Sequence, residues 1–177
     1  MTLHVAPATD ADVDEIADLA ARTFPLACPP ELGAEVVRAF IREHLTASRF
    51  RQHLGTPGHR VLCARTHDGR AIGYSLLIAG AAMDETCAGL LHGARPVGVS
   101  KFYLDPDFHG TGGAAGLLDA VIDTASADGA DSLWLATNVA NDRARRFYAK
   151  GGFTERGYRT FEVGGTLNDD VVLERML

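Results

Sequence analysis

Two short stretches of this 177-residue chain carry residue types at spacings that can do chemistry. In the first, Phe102-Tyr103-Leu104-Asp105-Pro106-Asp107-Phe108-His109-Gly110-Thr111-Gly112-Gly113-Ala114, a β-rich run passes through a proline turn into glycines that open a helical pattern. Glycines let a backbone approach an anion closely, and the first N–H groups of a helix have no intrahelical partner and carry the positive end of its dipole. By that logic the segment is a pyrophosphate cradle; the plainer reading is a tight strand-to-helix connection. Gly110, Gly112 and Ala115 also match the spacing of the dinucleotide fingerprint. The next strand, however, ends in Ala136-Thr137-Asn138 with no acid for a ribose, and no further β-α-β follows. A nucleotide P-loop is excluded too, because no Gly-Lys-Ser/Thr follows.

The second stretch is Asn141-Asp142-Arg143-Ala144-Arg145-Arg146-Phe147-Tyr148-Ala149-Lys150-Gly151-Gly152-Phe153. At helical spacing Asn141, Ala144, Arg145 and Tyr148 share one face, so the tyrosine and the asparagine can look into one cleft. Against this stand a Tyr148 that merely packs with its hydroxyl in water, and an Asn141 that merely caps its helix. Arg143, Arg146 and Lys150, on the opposite face, read as a solvated stripe.

The elements that must position these stretches follow in order. A strand is expected over Leu3 to Ala6, then a helix capped by Thr9 or Asp10 and ending near Phe24-Pro25. A second helix carries Val36, Val37, Phe40, Ile41 and Leu45, and Thr46 caps a third through Leu54. Arg60 to Thr66 and Ala71 to Ile78 form a hairpin around Asp68-Gly69. An unassigned loop, Gly80 to Arg95, leads to a strand from Pro96 to Asp105, the glycine turn, a helix stopped by Gly129, and a strand from Ser132 to Asn138. After the Asn141 helix, Phe153 to Val163 and Asp170 to Met176 close the chain as a β pair. The pattern is α/β in the mixed (α+β) sense, with one parallel β-α-β unit between antiparallel pairs, and residues 1–177 are expected to form a single domain.

Composition excludes several classes. With 46% hydrophobic and 23% charged residues the chain is globular. The net charge of −6 argues against nucleic acid as a partner. Most of that charge is one helix face: Asp10, Asp12, Asp14, Glu15 and Asp18 stand among the first twenty residues without a lysine or arginine. Cys28, Cys63 and Cys87 form no C-x-x-C pair, which fits a reducing compartment and suggests neither disulfides nor a zinc site. The seven histidines make no metal-ligand pattern, so no metal is expected. No basic leader or membrane-length apolar run is read, and the expectation is a cytoplasmic protein with no membrane partner. A homodimer is compatible with the sequence.

Taken together, the two stretches resemble the GNAT superfamily of acyl-CoA N-acyltransferases. His109-x-x-Gly112-x-Ala114 stands where that family has Gln/Arg-x-x-Gly-x-Gly/Ala. Asn141, Ala144, Tyr148, Gly152 and Phe153 match its N-x-x-A-x-x-x-Y-x-x-x-G-F helix. The resemblance implies a mostly antiparallel central sheet flanked by helices, with two splayed parallel strands that hold acetyl-CoA as acyl donor. It also implies that Tyr103 and Leu104 pair with the pantetheine arm through their backbone, and that the N–H groups from His109 through Gly110, Thr111, Gly112 and Gly113 to Ala114 hold the pyrophosphate. Asn141 would orient cofactor, and Tyr148 would protonate the departing thiolate, since a tyrosine with pKa near 10 keeps its proton at pH 7.

Arg22-Thr23-Phe24 and the tail Thr160-Phe161-Glu162-Val163-Gly164 with Asp170-Val171-Val172 resemble bacterial polyamine N-acetyltransferases more closely. A small-molecule amine is therefore the expected acceptor, polyamine-like first, with protein N-termini, lysines and aminoglycosides as alternatives. Freeing the lone pair of an alkylammonium at pH 7 costs about 4.6 kcal/mol, so some group, or a water chain, must take that proton. Many relatives carry a glutamate on the strand before the glycine turn; here that position falls near Gly98, and Val97 to Lys101 contains no acid. Asp84 and Glu85, in the loop before that strand, are candidates for the base, against the plainer reading of two solvated loop acids, and an acyl-CoA sensor without turnover is the alternative that the missing glutamate permits.

Overall fold

The computed structural model describes residues 3–163 and 165–177. In chain order the elements are β1 (His4–Pro7), α1 (Val13–Ala27), α2 (Ala34–His44), α3 (Ala47–Gly55), β2 (His59–Arg65), β3 (Ala71–Ala79), β4 (Pro96–Leu104), α4 (Gly113–Ala127), β5 (Ser132–Asn138), α5 (Asp142–Lys150), β6 (Thr154–Val163) and β7 (Thr166–Met176). The hydrogen-bonded strand order is β1-β2-β3-β4-β5-β7-β6. The expected mixed α/β class, mostly antiparallel with one parallel pair, is what forms.

The chain divides into two compact units, one holding the residues up to Leu77 together with Lys101–Val121, the other Ile78–Ser100 together with Ile122–Leu177. In the first, Thr9 and Asp12 cap each other, with the Thr9 N–H and hydroxyl donating to Asp12 Oδ2 at 2.7 and 2.8 Å. That cap starts a 3₁₀ turn over Asp10–Asp12, and α1 begins only at Val13. Val13, Ile16, Leu19, Ala20 and Thr23 are its buried stripe. The helix runs past the expected stop at Phe24-Pro25, because a proline in the last turn removes only one backbone donor. Cys28, forced into extended backbone before Pro29, ends it. Thr46 caps α3 as expected, accepting from the Arg49 N–H at 3.3 Å.

In the second unit β7 lies between β5 and β6, pairing antiparallel with both. Buried Cys87, Trp134 and Val172, with Met83, Leu90, Leu91 and Ala136 packed against them, make a cluster under the segment expected only as a loop. That segment holds a 3₁₀ helix, Glu85–Leu90, and is tied down by two carboxylates. Glu174 accepts from the His92 and Gly93 N–H groups, and Asp131 from those of Ala94 and Arg95. An irregularity in β6 between Glu155 and Gly157 takes Arg156 out of register, and its guanidinium reaches Glu174 at 2.8 Å.

Candidate functional site

The first unit contains the glycine turn. Asp105 follows β4 and caps a 3₁₀ turn over Pro106–Phe108, its Oδ1 accepting from the Asp107 N–H at 3.2 Å. The chain then passes exposed His109, Gly110, Thr111 and Gly112 into α4. Gly110 and Gly112 have φ +79° and +88°, which side-chain-bearing residues rarely adopt, and open space lies where a Cβ would stand at either. Behind this surface Gly113 is buried against Leu104, and the half-buried Ala114 follows it on the first turn of α4. Tyr103 stacks on Tyr74 at 5.5 Å and leans on Phe24 at 6.4 Å, so its backbone is held by its ring.

Sequence reasoning missed what fixes this turn. Asp105 is 3% exposed, and its Oδ2 accepts from Arg22 at 3.2 Å and Arg70 at 2.8 Å. Burial alone would push this carboxyl up, but the Asp107 N–H and the two guanidiniums outweigh it and hold it below the ordinary value. Arg70 also lies over the Phe108 ring at 5.5 Å. The Asp-Pro step was the only local signal; the arginines arrive from 83 and 35 residues away.

The second unit contains the other stretch. Asn141 Oδ1 accepts from the Ala144 N–H at 3.1 Å and so caps α5, the plainer of the roles read for it from the sequence. Tyr148 is 8% exposed, with Phe147 and Phe153 edge-on to its ring at 5.1 and 5.3 Å. Arg143, Arg146 and Lys150 are exposed, as a solvated stripe should be.

The parallel ladder is short. Pro96, Val97 and Gly98 pair with Ser132, Leu133 and Trp134, and there it stops, although β5 continues to Asn138. At Gly98 a Cβ would meet Trp134 Nε1 at 3.1 Å, Trp134 Cε2 at 3.2 Å and Met83 Cε at 3.3 Å. The Trp134 ring is fixed by donating to the Gly80 carbonyl at 3.0 Å. The indole therefore fills the place a glutamate side chain would need.

The two acids expected as base candidates are spoken for or open to water. Asp84 caps the 3₁₀ helix, accepting from the Thr86 N–H and hydroxyl at 3.0 and 2.6 Å, and pairs with Arg159 at 2.8 Å. Burial would raise its carboxyl, but the Thr86 and Arg159 donors pull it down. Glu85 is exposed. Arg159 also reaches buried Asp170, its Nη2 at 3.2 Å and Nε at 3.3 Å from Oδ2. Here burial wins over the arginine, and the Asp170 carboxyl is pushed up.

Among the described residues no three His, Cys, Asp or Glu side chains group as metal ligands. His53 and His59 do meet, Nδ1 to Nδ1 at 2.9 Å, and burial with Lys101 and His59 nearby lowers His53 to about 4, so it is neutral at pH 7. None of the helices among the described residues is long and apolar enough to cross a membrane. Of the tail, Gly164 lies outside the described residues; Asp170-Val171-Val172 is on β7. Arg22 serves Asp105, Thr23 donates to the Leu19 carbonyl, and Phe24 stacks on Phe40.

The family model described as "Acetyltransferase (GNAT) family" matches residues 13–153. An uncharacterized N-acetyltransferase of Mycobacterium tuberculosis is 46% identical over 166 residues, covering 94% of this chain and 98% of its own. Among solved structures, the PaiA N-acetyltransferase of Thermoplasma acidophilum in complex with coenzyme A superposes with TM-score 0.74 at 16% identity, covering 100% of both chains. The spermidine/spermine N-acetyltransferase SpeG of Vibrio cholerae does so with TM-score 0.68 at 16% identity, covering 99% of this chain and 95% of its own.

Proposed function

Because this chain belongs to the GNAT family of acetyltransferases, we propose that it transfers an acetyl group from acetyl-CoA to the primary amine of a small molecule. The observation that carries this reading is the turn at Gly110–Gly112, open above its backbone and followed directly by the N-terminus of a fifteen-residue helix. A pyrophosphate there would be held by the N–H groups from His109 to Ala114 and by the helix dipole. His109, in place of Gln or Arg, matters little for a main-chain contact. Backbone groups of Tyr103 and Leu104 would hold the pantetheine arm, consistent with a parallel ladder that ends at Gly98 and Trp134.

Tyr148 is the acid in this reading. Its hydroxyl would give a proton to the thiolate that forms as the C–S bond breaks, stabilising charge that appears late in the reaction. Asn141 acts on the site by capping and so orienting α5. A polyamine-like acceptor is the first to try, from the Arg22-Thr23-Phe24 and tail resemblance.

The test has two steps. Acetyl-CoA at 100 times its dissociation constant should raise folding stability by about 2.7 kcal/mol; no thermal shift would remove acetyl-CoA as the donor. Thiol release is then followed with spermidine, lysine, an alanine-ended peptide and kanamycin. Release with spermidine supports the polyamine reading, release with the peptide alone moves the acceptor to proteins, and silence on every amine leaves a sensor.

A further inference from the structure

Acetyl transfer leaves one participant without a residue: the group that takes the proton from the acceptor ammonium. In the unit that contains Tyr148, the buried acids among the described residues are Asp170 and Glu174, both on β7. They lie four residues apart and so on the same face of the strand. Glu174 stands opposite Trp134, where β4 and β5 are paired; Asp170 stands opposite Asn138, four residues beyond the last β4 partner. Glu174 is 0% exposed and fully engaged by His92, Gly93 and Arg156. Asp170 has both arginine contacts on Oδ2, and among the described residues no donor holds Oδ1.

We infer that Asp170 is the general base of the transfer, its Oδ1 receiving the acceptor's proton at the end of the β5–β7 ladder that lies beyond the last β4 partner. This rests on the acetyltransferase reading above. The acceptor ammonium gives one proton to Asp170, and the neutral nitrogen attacks the thioester carbon. The C–S bond then breaks with its electron pair on sulfur. Tyr148 protonates that sulfur and is restored by the second proton of the nitrogen, while Asp170 releases its proton to water. The products are an N-acetyl amine, a free thiol and one proton.

The surroundings suit the role. Arg159 on β6 faces Asp170, shared with Asp84 from the segment before β4, where Cys87 also lies; Asp169 is its neighbour on β7. Burial and Asp169 raise the Asp170 carboxyl, and the shared arginine only partly opposes them. A carboxylate raised toward working pH is a better proton acceptor than one held low, as Asp84 is.

The experiment compares wild type with Asp170→Asn over pH, using whichever of spermidine, lysine, the peptide and kanamycin turns over fastest. The variant should lose about 10²-fold in kcat at pH 7 with acetyl-CoA affinity unchanged. Its residual kcat/KM should climb about tenfold per pH unit with the free-amine fraction, while wild type flattens. A kcat within about threefold of wild type, or a parallel pH profile, overturns Asp170. Should Asp170→Asn fail to bind acetyl-CoA, Asp170→Glu replaces it: the acid limb of its profile should shift, and an unmoved limb overturns the assignment. A wild type that binds acetyl-CoA yet acetylates none of the four amines overturns the transferase reading itself.

Discussion

Asp105 and Asp170 are both buried acids beside arginines, one in each compact unit, and their carboxyls move in opposite directions. Asp105 receives two guanidiniums and a backbone N–H, which together outweigh burial. Asp170 receives one guanidinium, itself divided with Asp84, and burial prevails. Two things therefore separate the pair: burial weighs more heavily on Asp170, and more donors are aimed at Asp105. The glycine turn thus rests on an acid held by three donors, and the β5–β7 face carries one held through Oδ2 by a single shared arginine.

Substitutions in either unit bear on this contrast. The largest effect is expected from Trp134→Ala, which removes the indole that fills the space beside Gly98 and should cost about 3–5 kcal/mol in urea unfolding. A cost under about 1 kcal/mol would mean that the indole does not close that space. Tyr148→Phe should lower kcat by about 10²-fold with acetyl-CoA affinity nearly intact; an unchanged kcat with chemistry rate-limiting retires Tyr148 as the acid. Asp105→Asn should weaken acetyl-CoA binding about tenfold, roughly 1.4 kcal/mol, and leave the shape of the pH profile alone. If the profile moves instead, the division between strut and base collapses. Asn141→Ala should cost about 1 kcal/mol of stability through the lost cap.

The smallest effect is a pair of opposite slopes. Asp105 is lowered in the fold from the ordinary 3.8, so its contribution is present above that pH and is lost as pH falls through the folded value. Asp170 is raised from the same 3.8, so its contribution is present below that pH and is lost as pH rises through the folded value. Wild type should therefore gain stability over Asp105→Asn, and lose it relative to Asp170→Asn, as pH rises in urea titrations. Slopes of the same sign would show that the two acids are not differently held.

The two regions also differed in how readable they were. The glycine turn and the bounds of β5 are local matters of backbone conformation and period, and they were legible. So was Asn141 as a cap. The long α1 and the delayed start at Val13 were not, because the Thr9–Asp12 pair and Pro25 each permit two local outcomes. The ties of Glu174 and Asp131 to residues 92–95 join segments 36 to 82 residues apart, which no local pattern announces. That position 98 carries no acid is plain in the sequence, but the indole from β5 that fills the space beside it needs the packed sheet. The acids of β7 were not legible as neighbours of β5 either, because β7 lies between β5 and β6 although it follows both in sequence.

The most direct test of the acetyltransferase account is a single reaction of the purified protein with acetyl-CoA and the four-amine panel, read by thiol release and mass spectrometry together. One acceptor should become heavier by one acetyl group in step with the thiol released. Acetyl-CoA that binds but is left intact with every amine, or thiol released with no acetylated amine, would contradict it.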